Sequence, residues 1–101
     1  MITLVGETFV SRVGASLLQA VSLPELVTTS IEDYEALALK LATTPALLGD
    51  IREKLARQRH TAPLFDTSRT VRHLEQAYRV MHERHRRGEP PASFNVDPAV
   101  L

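Results

Sequence analysis

Four histidines, two serines near a glycine and a run of carboxylates are the residues of this 101-residue chain that could do acid–base, nucleophilic or metal chemistry. His82 and His85 are three apart and share a helix face, as a zinc-binding pair would require. Zinc needs further ligands, and no H-E-x-x-H pattern supplies them. Glu83 points elsewhere, and His85 continues an apolar stripe, so packing explains it as well as chemistry does. His60 and His73 have no partner at ligand spacing. Ser11 and Ser16 lie outside any G-x-S-x-G elbow, and there is no cysteine to act as nucleophile or thiolate ligand. Glu32, Asp33 and Glu35 crowd the start of a helix, where the dipole favours negative charge, and read as solubilising residues. These patterns assign no catalytic residue and no metal site.

One stretch remains, "LVGETFVSR", Leu4–Arg12. A glycine after a strand lets the backbone turn tightly, and the next helix offers free N–H groups to an anion. A single glycine is neither G-x-G-x-x-G nor a P-loop. The stretch therefore reads either as a phosphate-facing turn or as a plain strand-to-helix connection.

The elements that must position it can be read from periodicity. Ile2–Val5 is β-branched, apolar and closed by Gly6, and its lack of alternation predicts burial on both faces of a parallel sheet. Thr8 caps a first helix, whose Phe9, Val13, Leu17 and Val21 recur at helical spacing and are expected to face the core. Gly14, Ala15 and Ser16 allow close packing. Pro24 stops that helix, and Leu26–Val27 is a minimal strand. Ser30 opens a second helix with Asp33 at its third position, and Ile31, Tyr34, Leu37, Ala38 and Leu41 form its stripe. Thr44 caps a third, with Pro45 first and Leu47, Leu48, Ile51 and Leu55 buried. Pro63 predicts an extended segment that brings Leu64 and Phe65 onto the core. Asp66 or Thr67 caps the longest helix, striped by Val71, Leu74, Tyr78 and Met81 and ended by Gly88 and Pro90–Pro91. The expectation is a mostly α fold with one or two short strands. It makes a single domain over 1–91, with a loose tail over 92–101.

Length allows one domain. No apolar run approaches the roughly 20 residues that span a bilayer, and no basic n-region precedes an apolar core, so neither a membrane span nor a signal peptide is expected. The absence of cysteine fits a reducing, cytoplasmic setting. Residues 1–51 carry six acids and two bases, net −4; residues 52–87 carry ten bases and four acids, net +6. The basic third reads as long side chains coating helix faces, or as a polyanion surface. Aromatic residues are 5%, too few for a base-stacking platform, so no nucleic acid is expected.

Five stretches in order resemble a known family: "TLVGETFVSRVGASLL" (Thr3–Leu18), "LPELVT" (Leu23–Thr28), "SIEDYEALALKLATTPALL" (Ser30–Leu48), "PLFDT" (Pro63–Thr67) and "LEQAYRVMHERHRRGEPP" (Leu74–Pro91). Together they are similar to the C-terminal end of the O-GlcNAc transferase-like protein glycosyltransferases, TPR-containing and SPINDLY-like. The resemblance implies two Rossmann-like halves facing across a cleft, of the glycosyltransferase B type. It implies inverting transfer of N-acetylglucosamine from UDP-GlcNAc to protein Ser or Thr hydroxyls, with no cofactor and no obligatory metal. The family's main UDP-contacting motif, Gly-His-Thr-Thr with an aspartate after it, precedes the region matched here, as do its basic diphosphate residues, so no catalytic residue carries over. By resemblance, Gly6, Glu7 and Thr8 line the cleft of an intact enzyme and Arg12 supports that loop, or forms a structural ion pair.

On this reading the chain is the last strand–helix unit and helical cap of the UDP-binding half, inactive alone. Its UDP-sugar belongs to the intact enzyme, and its natural partner is the enzyme's N-terminal part. In the family the final helix reaches back to the first half, so Tyr78 and Met81 lose part of their partner here. A strand with two open edges and an exposed apolar stripe predict a homodimer through Ile2 and Leu4, through Val71, Leu74, Tyr78 and Met81, or through an exchanged element. Two other readings are a free-standing helical interaction module and a small regulatory protein that binds nucleotide or polyanion.

Overall fold

Two short strands pair in parallel in the computed structural model, which describes residues 1–98: Thr3–Leu4 (β1) and Val27–Thr28 (β2), with Thr3 opposite Val27 and Leu4 opposite Thr28. The chain crosses between them through a helix, Phe9–Ala20 (α1), and a 3-10 turn, Pro24–Leu26. Helices Ile31–Thr43 (α2), Pro45–Gln58 (α3) and Thr67–Arg86 (α4) come next, with a second 3-10 turn at Pro63–Phe65 before α4. The described chain is thus mostly helical with two short strands. It divides into two compact units, Met1–Phe65 and a second that begins at Asp66.

In the first unit the core gathers Leu18, Val21, Leu23, Leu26, Leu41 and Ala62, with Ile2, Val27, Leu37, Leu47 and Ile51 packed around it. Parallel pairing explains why the strand-like run from Ile2 is not alternating: Ile2 is half-buried against this core while Thr3 lies under α1. The strand is shorter than Ile2–Val5, although the Val5 N–H still donates to Thr28 O at 2.9 Å. The second strand sits one residue later than Leu26–Val27, because the 3-10 turn takes Leu26. One of the two edges expected to be open is therefore closed by β2. Thr28 adds a side-chain bond, its buried hydroxyl donating to Thr3 O at 2.8 Å.

The buried side of α1 differs from the expected one. Phe9 is 83% exposed, and Val13 and Leu17 are exposed as well; Ala15, Leu18 and Val21 are buried, with Gly14 half-buried beside them. The reason is the close approach of helix to strand. A Cβ on Gly14 would stand 2.6 Å from Thr3 Oγ1, so the small face must turn inward and the bulky stripe outward.

Helices α2 and α3 obey their sequence signals at the ends and less so along their faces. Ser30 Oγ accepts from Asp33 N–H at 3.1 Å, as its position predicts. Thr44 occupies the N-cap of α3 ahead of Pro45, but its hydroxyl makes no capping bond. Leu37 and Ala38 are half-buried and Leu41 buried, as expected, while Ile31 and Tyr34 are exposed. On α3, Leu47 and Ile51 reach the core and Leu48 and Leu55 do not. The Pro63 segment is a 3-10 turn rather than extended, and it buries Ala62 instead of Leu64 and Phe65, both exposed. Compact turning places the backbone, not the larger side chains, against the core. Lys54 ties α3 to the first 3-10 turn through Glu25 at 2.8 Å.

The second unit consists of α4 and the segment after it. Asp66 Oδ1 caps the helix through Arg69 N–H at 2.8 Å. Its end is a Schellman closure: Glu89 N–H donates to Arg84 O, Gly88 N–H to His85 O, and Gly88 has φ +69°. Glu89 pairs with Arg87 at 2.6 Å and Arg84 at 3.2 Å, and Arg84 also donates to Pro90 O at 3.0 Å. Residues 92–98 form no helix or strand, and the last three positions of the expected tail lie outside the described residues. No helix among the described residues is long and apolar enough to cross a membrane.

Candidate functional site

The turn between β1 and α1 is built by hydrogen bonds that converge on Ser11. Gly6 N–H donates to Ser11 O at 3.4 Å, which folds the chain back over the first helical turn. Thr8 is the N-cap, extended at φ −80° and ψ 158°, and its Oγ1 accepts from Ser11 N–H at 3.3 Å. Ser11 Oγ donates to Thr8 O at 3.0 Å and lies 2.8 Å from Thr8 Oγ1. One proton arrangement satisfies all three: Ser11 O–H to Thr8 O, Thr8 O–H to Ser11 Oγ, Ser11 N–H to Thr8 Oγ1. Gly6 is required here by space. A Cβ at this position would lie 2.6 Å from Ser11 Oγ and 2.9 Å from its Cβ.

The turn presents Glu7 and Arg12 to one open groove of about 500 Å³, shared with Phe9, Val13, Ser16 and Leu17. Glu7, Thr8 and Arg12 are exposed, and Gly6 is half-buried under Ser11. Of the four cleft candidates, then, Glu7 and Arg12 line the groove, while Gly6 and Thr8 shape the turn at its end. No ion pair holds Arg12 among the described residues. The apolar floor, Phe9, Val13 and Leu17, was legible as a stripe but not as an exposed one. The available signal was Gly14 and Ala15, since small residues mark the side of closest approach, whereas Ser16, the next in the run, lies on the exposed groove side.

Of the expected contact residues on β1, Ile2 is half-buried and Leu4 is exposed. Thr3 O and Val5 N–H face β2, so alternation turns the backbone groups of Leu4 to the opposite edge, where no strand pairs among the described residues. On α4, Val71, Leu74, Tyr78 and Met81 are all exposed. His82 and His85 are both exposed, and among the described residues no cluster of three or more His, Asp or Glu could hold a metal ion.

Comparison with known proteins identifies the lineage. The sequence model of the family described as glycosyl transferase family 41 matches residues 1–74. A protein of Arabidopsis thaliana named probable UDP-N-acetylglucosamine–peptide N-acetylglucosaminyltransferase SEC is 39% identical over 97 residues, 95% of this chain and 10% of that protein. The barley (Hordeum vulgare) protein of the same probable activity, SPINDLY, is 36% identical over 91 residues, 90% of this chain and 10% of its own length. The Caenorhabditis elegans UDP-N-acetylglucosamine–peptide N-acetylglucosaminyltransferase is 32% identical over 90 residues, 89% of this chain and 8% of that protein. The chain thus spans about a tenth of the length of the relatives it matches. With the family match covering most of its length and such relatives aligned over nine-tenths of it, the chain belongs to glycosyl transferase family 41.

Proposed function

We propose that this chain is the C-terminal piece of an enzyme that transfers N-acetylglucosamine from UDP-N-acetylglucosamine to Ser or Thr hydroxyls of proteins. The observation that carries this reading is the parallel β1–α1–β2 unit with a tight turn at the carboxyl end of β1. Ligands of open parallel sheets bind beyond the carboxyl ends of their strands. In this reading the unit closes the sheet of a Rossmann-like, UDP-binding half, and the later helices cap it. Gly6, Glu7 and Thr8 line the donor cleft, and Arg12 supports that turn.

In this reading the chain is inactive alone, because by the family resemblance the groups that grip the diphosphate precede the matched segment, which is about a tenth of such an enzyme. Any TPR array lies in that remainder too. A cytoplasmic setting agrees with the absence of cysteine.

The test is reconstitution. The Arabidopsis relative is cut before its matching segment, and this chain is fused in place of the removed piece. Transfer from UDP-N-acetylglucosamine to a protein acceptor is then measured. Neither part is expected to transfer the sugar alone, and the fusion is expected to do so. A folded but inactive fusion, or transfer by the isolated chain, would overturn the proposal. Amide shifts at Gly6–Phe9 on titrating millimolar UDP into the isolated chain would favour the small nucleotide-binding reading instead.

A further inference from the structure

The apolar faces of α1 and α4 and the outer edge of β1 stand uncovered among the described residues. An apolar helix face accepts partners of many kinds. A strand edge is more selective, because its row of N–H and C=O groups is satisfied by another strand.

Leu4 sits at that edge. Its N–H and C=O turn away from β2, since Thr3 O and Val5 N–H bond Thr28. The corresponding donor of β2 is already used. Val27, which alternation turns away from β1, gives its N–H to Pro24 O within the 3-10 turn. The neighbouring residues differ in the same sense. Pro24 and Glu25 precede β2 and Thr29 and Ser30 follow it, the proline and polar types that protect a free edge. β1 lies in the apolar run Ile2–Val5, without a charge or a proline, which is the composition of a strand inside a parallel sheet.

Resting on the reading of this chain as the C-terminal piece of a longer enzyme, we propose that β1 is an interior strand. Its outer edge, at Leu4, takes a parallel strand from the preceding part of the same enzyme, and β2 ends the sheet. Two strands of two residues each are too few to stand by themselves, since a stable sheet needs about three strands or more. The chain spans about a tenth of the relatives it matches, so such an enzyme has ample further sequence to supply strands. A strand of the same polypeptide meets the edge at an effective concentration on the order of millimolar, which a second copy at micromolar concentration does not approach. The parallel direction continues that of β1 and β2, whereas a second copy docked about a two-fold axis would set β1 antiparallel to itself and mix the sheet.

Hydrogen exchange read at single amides tests this, in the isolated chain and in the fusion with the Arabidopsis relative. Val5 N–H, bonded to Thr28 O, is the reference expected to be protected in both. Leu4 N–H should exchange freely in the isolated chain from about 10 μM to 1 mM, and on the order of 100-fold more slowly in the fusion. Leu4→Pro removes an unpaired N–H from the isolated chain and should leave its thermal unfolding unchanged, while lowering that of the fusion. A Leu4 amide that exchanges as fast in the fusion as in the isolated chain would overturn the proposal, as would a fusion indifferent to Leu4→Pro. Protection of Leu4 that grows with the concentration of the isolated chain would give the edge to a second copy, and would overturn it too. The enzyme reading fails by a different result: a folded fusion that transfers no sugar sinks that reading, while its Leu4 amide still reports whether the edge is paired.

Discussion

Gly14 of α1 lies so close to Thr3 of β1 that a Cβ added to it would stand 2.6 Å from Thr3 Oγ1 and 3.2 Å from Thr3 Cβ. This contact sets the rotation of α1, and with it the burial of Leu18 and the exposure of Phe9. Gly14→Ala should destabilise the chain, because overpacking of about 1–3 kcal/mol exceeds the helix propensity of at most about 1 kcal/mol gained by losing a glycine. In a Thr3→Ala background the 2.6 Å hydroxyl contact is gone and only the 3.2 Å Cβ contact stays, so the loss should shrink. Urea denaturation of the four variants measures that coupling.

The two N-caps of α2 and α3 predict a contrast. Ser30 Oγ bonds Asp33 N–H, whereas the Thr44 hydroxyl caps nothing. Ser30→Ala should cost about 1 kcal/mol, and Thr44→Ala only a few tenths. Equal losses in thermal unfolding would contradict the structure.

Gly88 carries φ +69° in the closure of α4. Alanine there should cost about 1 kcal/mol from the left-handed backbone alone, since open space surrounds the position. Asparagine, which tolerates that region better, should cost less. The readout is local: amide exchange at Gly88 and Glu89, whose N–H groups bond His85 O and Arg84 O, should quicken most in Gly88→Ala.

The Glu25–Lys54 pair predicts a weak pH dependence. Partial burial works to raise the Glu25 carboxyl, but the Lys54 hydrogen bond, its own backbone N–H and the Lys54 charge together hold it below its ordinary value of 4.5. A carboxyl lowered on folding contributes stability above the unfolded value, and that stability is lost as pH falls through the folded one. The pair is more than a third exposed, so its worth is that of a surface ion pair, under about 1 kcal/mol. Lys54→Met should lower stability near pH 7 by less than about 1 kcal/mol and converge with the wild type as pH falls through the folded Glu25 value, which flattens the acid limb of the profile.

The turn at the carboxyl end of β1 makes one further prediction. Gly6→Ala pushes a Cβ into Ser11 Oγ and should loosen the bonds between Ser11 and Thr8. Faster exchange of the Ser11 amide, with α2 and α3 unaffected, is the expected signature in hydrogen-exchange mass spectrometry.

What the sequence determined by itself was the local layer. Ser30, Thr8, Asp66 and Gly88 each carry their own geometry in a side chain or its absence, so the caps and ends of the helices could be read directly. So could the family, from stretches such as "GETFVSRVGAS" and "PLFDT", because those residue types in that order are specific. What only the tertiary structure decided was which face each helix turns inward. Phe9, Val13 and Leu17 satisfy helical periodicity as well as any buried stripe does, and Leu64 and Phe65 are as apolar as the Ala62 that is buried in their place. Periodicity states that a helix has an apolar side. It does not state which partner comes nearest, and here steric fit between Gly14 and Thr3 turned Gly14, Ala15 and Leu18 inward and left Phe9, Val13 and Leu17 outside.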